Sequence, residues 1–384
     1  MADEFTSKKQ KLMPIKHLKI ALIDPVGGKG GMDFYDYGLA QGLASNNCEV
    51  FYFTCNQTRE IKNNNINTIF FFGEIWNKKK FFKLILLLNG YKKAFKYCKK
   101  NKIEIIHFQF FSLKIPNLIA LLMCKFFGLK RIVTLHDIDS FRGKERLFLQ
   151  KKAFSLTQKL IVHNQFSLNE ITKKGISKQK VAIIPHGNYI PFVEKVTANE
   201  PSRILNLLFF GQIKEVKGLE ILLNAFAKAY KENGNIRLTI AGKPWGTSSE
   251  KYSKMISNLK IEKVVHTNFS YIPNDEIHLY FQKSDVVVLP YKKIYQSGVL
   301  LLSMSYGRVC LCSDLDAFKE IVVDNETGYI FENKNVDSLS KKILEIYKDK
   351  SDITRIENNA QELLKKNFGW NNIAIMSIEL YQTV

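Results

Sequence analysis

The stretch ILNLLFFGQIKEVKGLEILLNAFAKAYKENGNIRLTIAG, residues 204–242, reads as a complete strand–loop–helix–strand unit. ILNLLFFG (204–211) is a short apolar run closed by a glycine, the pattern of a strand buried on both faces. KGLEILLNAFAKAYKENG (217–234) repeats its apolar residues at helical spacing and stops at Gly234. IRLTIAG (236–242) is a second buried strand. DVVVLP (285–290), RVCLCS (308–313) and GYIF (328–331) are further runs of this kind, with helical patterns between them. Upstream, LKIALID (18–24), EVFYFT (49–54), NTIFFF (67–72), IEIIHF (103–108), RIVTLH (131–136), KLIVH (159–163) and KVAIIP (180–185) form an earlier series. The polar, aperiodic segment VEKVTANEPSR (193–203) separates the two and is the best linker. The pattern predicts an α/β chain of two doubly wound domains facing a cleft, with ligands beyond the carboxyl ends of the strands.

The totals agree with two cored domains: 384 residues, 46% of them apolar. The formal charge of +21 favours an anionic partner: nucleic acid, an acidic membrane surface or a phosphorylated ligand. Six cysteines are scattered without a CxxC pair, as expected of buried thiols in a reducing compartment. The first 16 residues are expected to be a flexible lead-in, since they lack the apolar core of a signal peptide. No run reaches the ~18 apolar residues of a membrane span. The expected location is the cytoplasm, with room for peripheral contact at the inner face of a membrane.

Four loops collect chemistry. DPVGGKGGMDFYDYGLAQGL (24–43) places Gly27, Gly28, Gly30 and Gly31 between a strand and a helix. Backbone N–H groups can approach an anion there, although a tight turn without a ligand fits the same residues. The spacing is not GxGxxG, and no acid follows the next strand, so a dinucleotide site is disfavoured. TLHDID (134–139) ends a strand with His136, Asp137 and Asp139, suited to sugar hydroxyls or proton transfer. Asp139 could instead cap a helix. Lys214 and Lys217 stand before the helix of the opening unit, where a cation and helix amides could share a diphosphate. PYKKIYQSGVLLLSMSYG (290–307) runs from a loop into an apolar helix that has no acid or base, with Ser297-Gly298 at its mouth. His163 and His186 close strands too and read as structural or rim histidines. Finally, residues 77–102 carry ten lysines and no acid, interleaved with aromatic and aliphatic residues. That suits an anionic membrane surface, and equally a helix with one face in the core. Motifs for nucleic acid are missing, so nucleic acid is not expected as a partner.

Together these segments resemble the retaining glycosyltransferases of family 4, which have the GT-B fold. The resemblance runs through GGMDFYDYGLAQGLASNNCEVFYFT, VTLHDID, KVAIIPHGNYI, LLFFGQIKEVKGLEILLNAF, SDVVVLPYKKIYQSGVLLLSMSYGRVCLCSDLDAFKEIVVDNETGYIF and FGWNNIAIMSIELY, nearly the whole chain. It implies a first domain at 17–195 that binds the acceptor and a second at 203–366 that binds a nucleotide-diphosphate sugar. Residues 367–384 would form a helix crossing back to the first domain. By the same resemblance Gly30, Gly31, Gly211, Gln212, Lys214, Gln296, Ser297, Gly298 and Val299 hold the donor. Asp137 and Asp139 meet the acceptor, and His136 and Lys217 act on the reacting groups. No metal or other cofactor is implied.

Two departures stand out. Gln212 replaces the family's usual arginine. The family's pair of glutamates, eight positions apart, falls here on Leu302 and on Ile294 or Tyr295. Glu320 matches a recurrent family acid and is expected to be structural. The implied activity is retaining transfer from a UDP- or GDP-sugar to a saccharide or lipid-linked saccharide. The alternative is a degenerate nucleotide-sugar-binding partner of a glycan assembly enzyme.

Overall fold

A computed structural model describes residues 17–28, 31–58, 65–111, 113–139, 147–194 and 203–384. The expected lead-in 1–16, Gly30 and most of the linker 193–203 lie outside the described residues.

The first sheet contains β1 (Leu18–Ile23), β2 (Cys48–Phe53), β3 (Ile66–Ile69), β4 (Ile105–Phe110), β5 (Lys130–Leu135), β6 (Lys159–Val162) and β7 (Val181–Ile183). Its order is β3-β2-β1-β4-β5-β6-β7 and the strand pairs are parallel. The helices between strands are α1 (Met32–Ser45), α2 (Lys80–Lys100), α3 (Ile115–Phe126), α4 (Leu147–Leu156) and α5 (Gln165–Lys173). The second sheet contains β8 (Leu205–Phe210), β9 (Ile236–Ala241), β10 (Val265–Asn268), β11 (Val286–Leu289), β12 (Val309–Ser313) and β13 (Tyr329–Phe331). Its order is β10-β9-β8-β11-β12-β13, also parallel. It carries α6 (Leu219–Glu232), α7 (Ser249–Asn258), α8 (Ile277–Gln282), α9 (Gly298–Ser305), α10 (Asp316–Lys319), α11 (Val336–Lys348) and α12 (Asp352–Asn367). A final helix, α13 (Trp370–Gln382), closes the chain.

All the strands expected from sequence are present. β3 stops at Ile69, sooner than the run NTIFFF suggests, because Phe72 turns in to pack against Gly90 of α2. β10, of sequence VHTN, has no legible signal: only Val265 of its four residues is buried.

Both sheets are covered on both faces, which is why their strands are almost wholly apolar. In the first domain Phe95, Leu121, Phe154 and Ile171, from α2 to α5, lie in one core cluster. Leu39 of α1 and Ile373 and Ile378 of α13 share another with Ile20 and Leu22. Thus α13 belongs to the first domain. Trp370 fixes it there: its indole N–H donates to the Asn188 carbonyl at 2.9 Å. A Cβ at Gly38 would lie 2.0 Å from the Trp370 ring, and one at Gly187 would lie 2.3 Å from it. Only glycine at both positions admits the indole.

In each sheet the strand order reverses next to the first strand, between β1 and β4 and between β8 and β11. Loops leaving strands on either side of such a reversal diverge and open a crevice. Those loops carry the Gly-rich turn in the first domain, and Lys217 and Ser297 in the second.

Candidate active site

In the second domain, two loops are locked together at their bases. Gly218, at the mouth of α6, has φ +66°, and a Cβ there would lie 1.9 Å from the Pro290 carbonyl oxygen. The loop after β8 therefore packs backbone to backbone on the loop after β11. Gly211 has φ +92°, and its Cβ would meet the Lys217 ammonium at 3.4 Å and the Val299 side chain at 3.2 Å. Lys217 and the start of α9 thus converge on one bare stretch of backbone.

Ser297 caps α9: its Oγ accepts from Leu300 N–H at 3.1 Å. The Leu301 N–H reaches the Ser297 carbonyl at 3.3 Å. The amides of Gly298 and Val299 have no protein acceptor among the described residues. The helix thus presents two unspent donors and the positive end of its dipole toward the convergence. Lys217 sits over the Tyr291 ring, 5.1 Å from its centroid, and no carboxylate pairs with it among the described residues. Burial, and secondarily the charge of Lys214, brings its pKa down to about 7. A desolvated, unpaired ammonium beside free helix amides is set to receive an anion.

The other expected donor residues surround this point. Gln212 and Lys214 are half-buried in the loop after β8, with the Lys214 ammonium 5.7 Å from the Trp245 ring centroid. Gln296 stands beside the Ser297 cap, and its buried Oε1 has no partner among the described residues. Gly31 adopts φ +82° at the start of α1, with open space where a Cβ would stand. From the first domain, the Tyr189 hydroxyl lies 2.9 Å from the Cβ position of Gly298. Tyr189 belongs to the HGNY segment, whose sequence signal is weak.

The histidines form a buried chain. His163 Nδ1 faces the Ile184 carbonyl at 3.0 Å and must donate to it. Its Nε2 then accepts from His136 Nδ1 at 3.1 Å. The remaining nitrogen of His136, Nε2, faces the Gln109 amide at 3.1 Å, and Gln109 Nε2 has no partner among the described residues. Turning that amide over satisfies both groups, with His136 neutral. Burial, then the neighbouring histidines, holds its pKa well below the usual value. Tyr35 packs edge-on against His136 with ring centroids 4.8 Å apart. His136 therefore lies just behind the cleft wall with both ring nitrogens engaged.

Asp137 is half-buried, and its backbone N–H bonds the Phe111 carbonyl at 3.2 Å. Asp139 makes an ion pair with Lys174 and accepts from the Tyr295 hydroxyl at 3.1 Å. Desolvation, the largest single influence, pushes its carboxyl up, but the charge and hydrogen bond of Lys174 and the hydrogen bonds of Gln150 and Tyr295 together hold it below the usual range.

Sequence reasoning missed a further group. Asp24 and Asp36 lie buried beneath the Gly-rich turn, with the Tyr52 hydroxyl donating to Asp36 at 2.8 Å. Burial, the largest influence on each, raises Asp24 to about 6 and holds Asp36 well above the usual carboxylate range. The apolar runs around them give no sign that the acids are enclosed.

Two tandem parallel domains with a cation and a helix start at the reversal of the second sheet match two family models. Residues 29–188 match Glycosyltransferase Family 4, and residues 194–363 match Glycosyl transferases group 1. The chain belongs to these glycosyltransferases. Its fold is the GT-B fold of this family. A similar protein is the lipopolysaccharide 1,2-N-acetylglucosaminetransferase of Salmonella typhimurium, 26% identical over 230 residues. That match covers 56% of this chain and 60% of the relative's length. Sucrose-phosphate synthase from Thermosynechococcus elongatus superposes with a TM-score of 0.77 at 19% identity, over 96% of this chain and 99% of that one. HepE from Anabaena, in complex with UDP, superposes at 0.74 and 16% identity, over 96% and 100%.

The structure shows what stands at the two positions where the resemblance places the family's glutamates. Leu302, at the second, is half-buried against the apolar core of the second domain. Tyr295, at or next to the first, is fully buried in the core cluster of the opposite domain. Among the described residues no group of three His, Cys, Asp or Glu could hold a metal ion.

Proposed function

We propose that this glycosyltransferase moves a sugar from a UDP- or GDP-sugar to a saccharide or lipid-linked saccharide, with retention of anomeric configuration, in the synthesis of a surface polysaccharide or glycolipid. The observation that carries it is the convergence around Gly211 of the Lys217 ammonium and the Val299 side chain, at the start of a helix whose Gly298 and Val299 amides have no protein acceptor among the described residues. Such a cradle suits the diphosphate whose negative charge grows as the glycosyl bond breaks. Lys217 and the helix start would take the role a metal plays elsewhere. Tyr189 would line the sugar side of the cleft, and His136 would support its wall from behind. With no acid at the two family positions, front-face attack is the reading we adopt: the leaving phosphate accepts the acceptor's proton. The action of the Salmonella relative on lipopolysaccharide and the UDP held by HepE support the classes of acceptor and donor.

A lipid-linked acceptor has further support in the first domain. Helices α2, α3 and α4 each follow a parallel strand, so their N-terminal ends lie on the cleft side of the sheet. Exposed apolar residues gather at those ends: Phe81 (70%), Phe82 (57%), Ile115 (55%) and Phe148 (74%). Lys78, Lys79, Lys80, Lys114, Lys151 and Lys152 surround them in sequence. Aromatic side chains among lysines beside an acceptor cleft suit the face of an anionic membrane. Among the described residues no helix is long and apolar enough to cross a membrane.

The test is a donor panel. The protein is incubated with UDP- and GDP-sugars and a lipid-linked acceptor mixture, and the anomeric configuration of the product is read by NMR. A product of inverted configuration removes the retaining reading. Binding of a nucleotide without turnover of any donor favours the second reading, a nucleotide-sugar-binding partner, which the loss of both family acids recommends.

A further inference from the structure

The loop after β11 has two ends with different attachments. At its start the Tyr291 carbonyl accepts from Ser313 Oγ at 2.7 Å, and the Tyr291 ring lies under Lys217. Both contacts stay within the second domain. At its end Ser297 caps α9. Between them Tyr295 leaves its own domain. Its side chain is fully buried among first-domain residues, with its ring centroid 6.0 Å from that of Phe166. Its hydroxyl donates to Asp139 at 3.1 Å, and its carbonyl accepts from Asn164 Nδ2 at 2.6 Å. A second contact backs this one. Glu320, just after α10, accepts from the Gln165 and Phe166 amides at 2.8 and 2.6 Å, and so caps the N-terminus of α5 across the cleft.

We propose that Tyr295 is a positioning residue that ties the donor-phosphate cradle to the first domain, so that closing the cleft and setting the cradle are one event; this rests on the donor site proposed above. Gln296 alone separates Tyr295 from the Ser297 cap. A domain movement that withdraws Tyr295 from its pocket must therefore pull on the mouth of α9. The ring supplies a large apolar anchor, and its hydroxyl is satisfied by an acid already fixed by Lys174. An acid in place of Tyr295 would meet an apolar pocket and a second carboxylate, and could not be seated there cheaply. At or next to the position where the resemblance places the family's first acid, the chain thus has a mechanical link between domains. Glu320 holds α5, and with it Asn164 and Phe166, in the place that receives Tyr295.

Hydrogen exchange on the nucleotide-free full chain tests the tie, with Tyr295→Phe, Tyr295→Ala and Glu320→Ala compared with wild type. Glu320→Ala lies outside the loop, yet faster exchange is expected in peptides covering residues 291–301. Tyr295→Ala should do the same, and Tyr295→Phe, which keeps the ring, should recover most of the protection. The dissociation constant for UDP or GDP should rise about fivefold or more in Glu320→Ala, the size of a typical coupling between sites. Wild-type exchange across 291–301 in both alanine variants overturns the tie. So does faster exchange with unchanged nucleotide affinity. If the wild-type chain binds neither nucleotide, the donor assignment fails, and the exchange data alone decide the tie. Circular dichroism of Tyr295→Phe and Glu320→Ala separates either outcome from misfolding.

Discussion

Lys217 and Val299, from loops that follow different strands, approach each other over Gly211, whose missing Cβ would lie 3.4 Å from one and 3.2 Å from the other. The bare backbone lets the ammonium and the start of α9 face the same point. Gly211→Ala should crowd both and force a residue with φ +92° into a conformation that side chains rarely adopt. The expected result is a loss of donor affinity larger than the loss of stability, read by isothermal titration beside thermal unfolding. Equal affinity with the alanine variant would contradict the convergence.

Lys217 gives donor binding a pH signature. Its pKa in the free protein is about 7, with burial the main cause. A bound diphosphate favours the ammonium and raises that value. Below pH 7 the charge is already present; above pH 7 it must be regained by taking up a proton. Affinity for UDP or GDP should therefore fall as pH rises from 7 to 9, by up to about tenfold per unit. Titration at pH 8 in two buffers of different ionisation enthalpy should show net proton uptake. Lys217→Ala should remove that uptake.

The buried histidines act on stability with a defined sign. His107 is lowered to about 3, by burial first and His163 second, with its nitrogens bonded to Tyr381 and Thr134 at 2.7 Å each. Between pH 6.5 and 3 the unfolded chain binds a proton there and the folded chain does not, so stability is lost as pH falls. From pH 6.5 to 5 this one group costs about 2 kcal/mol. The variant His107→Gln should lose less stability than wild type over that interval, by about that amount. The raised acids Asp24 and Glu357 act in the opposite direction, but they are common to both proteins and cancel in the difference.

Trp370 carries the return of α13 to the first domain. Truncation to alanine opens a void against Gly38 and Gly187 and leaves the Asn188 carbonyl without its indole donor. A loss of about 3–5 kcal/mol is expected from denaturant titration. A loss under about 1 kcal/mol would mean that α13 is held mainly elsewhere.

The exposed rim of the first domain makes a separate claim. Phe81→Ser together with Phe82→Ser should reduce sedimentation with vesicles containing phosphatidylglycerol while leaving nucleotide affinity unchanged. Neither residue touches the phosphate cradle. Unchanged sedimentation, or no sedimentation of the wild type, removes the membrane face.

The fold is legible in the sequence because a parallel sheet covered on both faces writes each strand as an unbroken apolar run. β10 escapes because three of its four residues are not buried. The second-domain half of the site is legible too: a glycine that ends a strand, a lysine before a helix, and a Ser-Gly helix start are all local features. The first-domain half is not. His136 is identifiable in sequence, but the Gln109 and His163 bonds that occupy its nitrogens come from neighbouring strands. Asp139 gives no sign of Lys174, 35 residues on. Tyr295 gives no sign of its pocket, because insertion into the opposite domain leaves no periodicity to follow.

Calorimetric titration of UDP, GDP and the matching nucleosides into wild type and Lys217→Ala addresses the diphosphate cradle directly. The expected result is that wild type binds one diphosphate far better than its nucleoside, and that Lys217→Ala weakens the diphosphate by about tenfold or more, about 1.4 kcal/mol, while leaving the nucleoside unchanged. Equal diphosphate affinity in the two proteins, or a diphosphate bound no better than its nucleoside, would contradict the cradle.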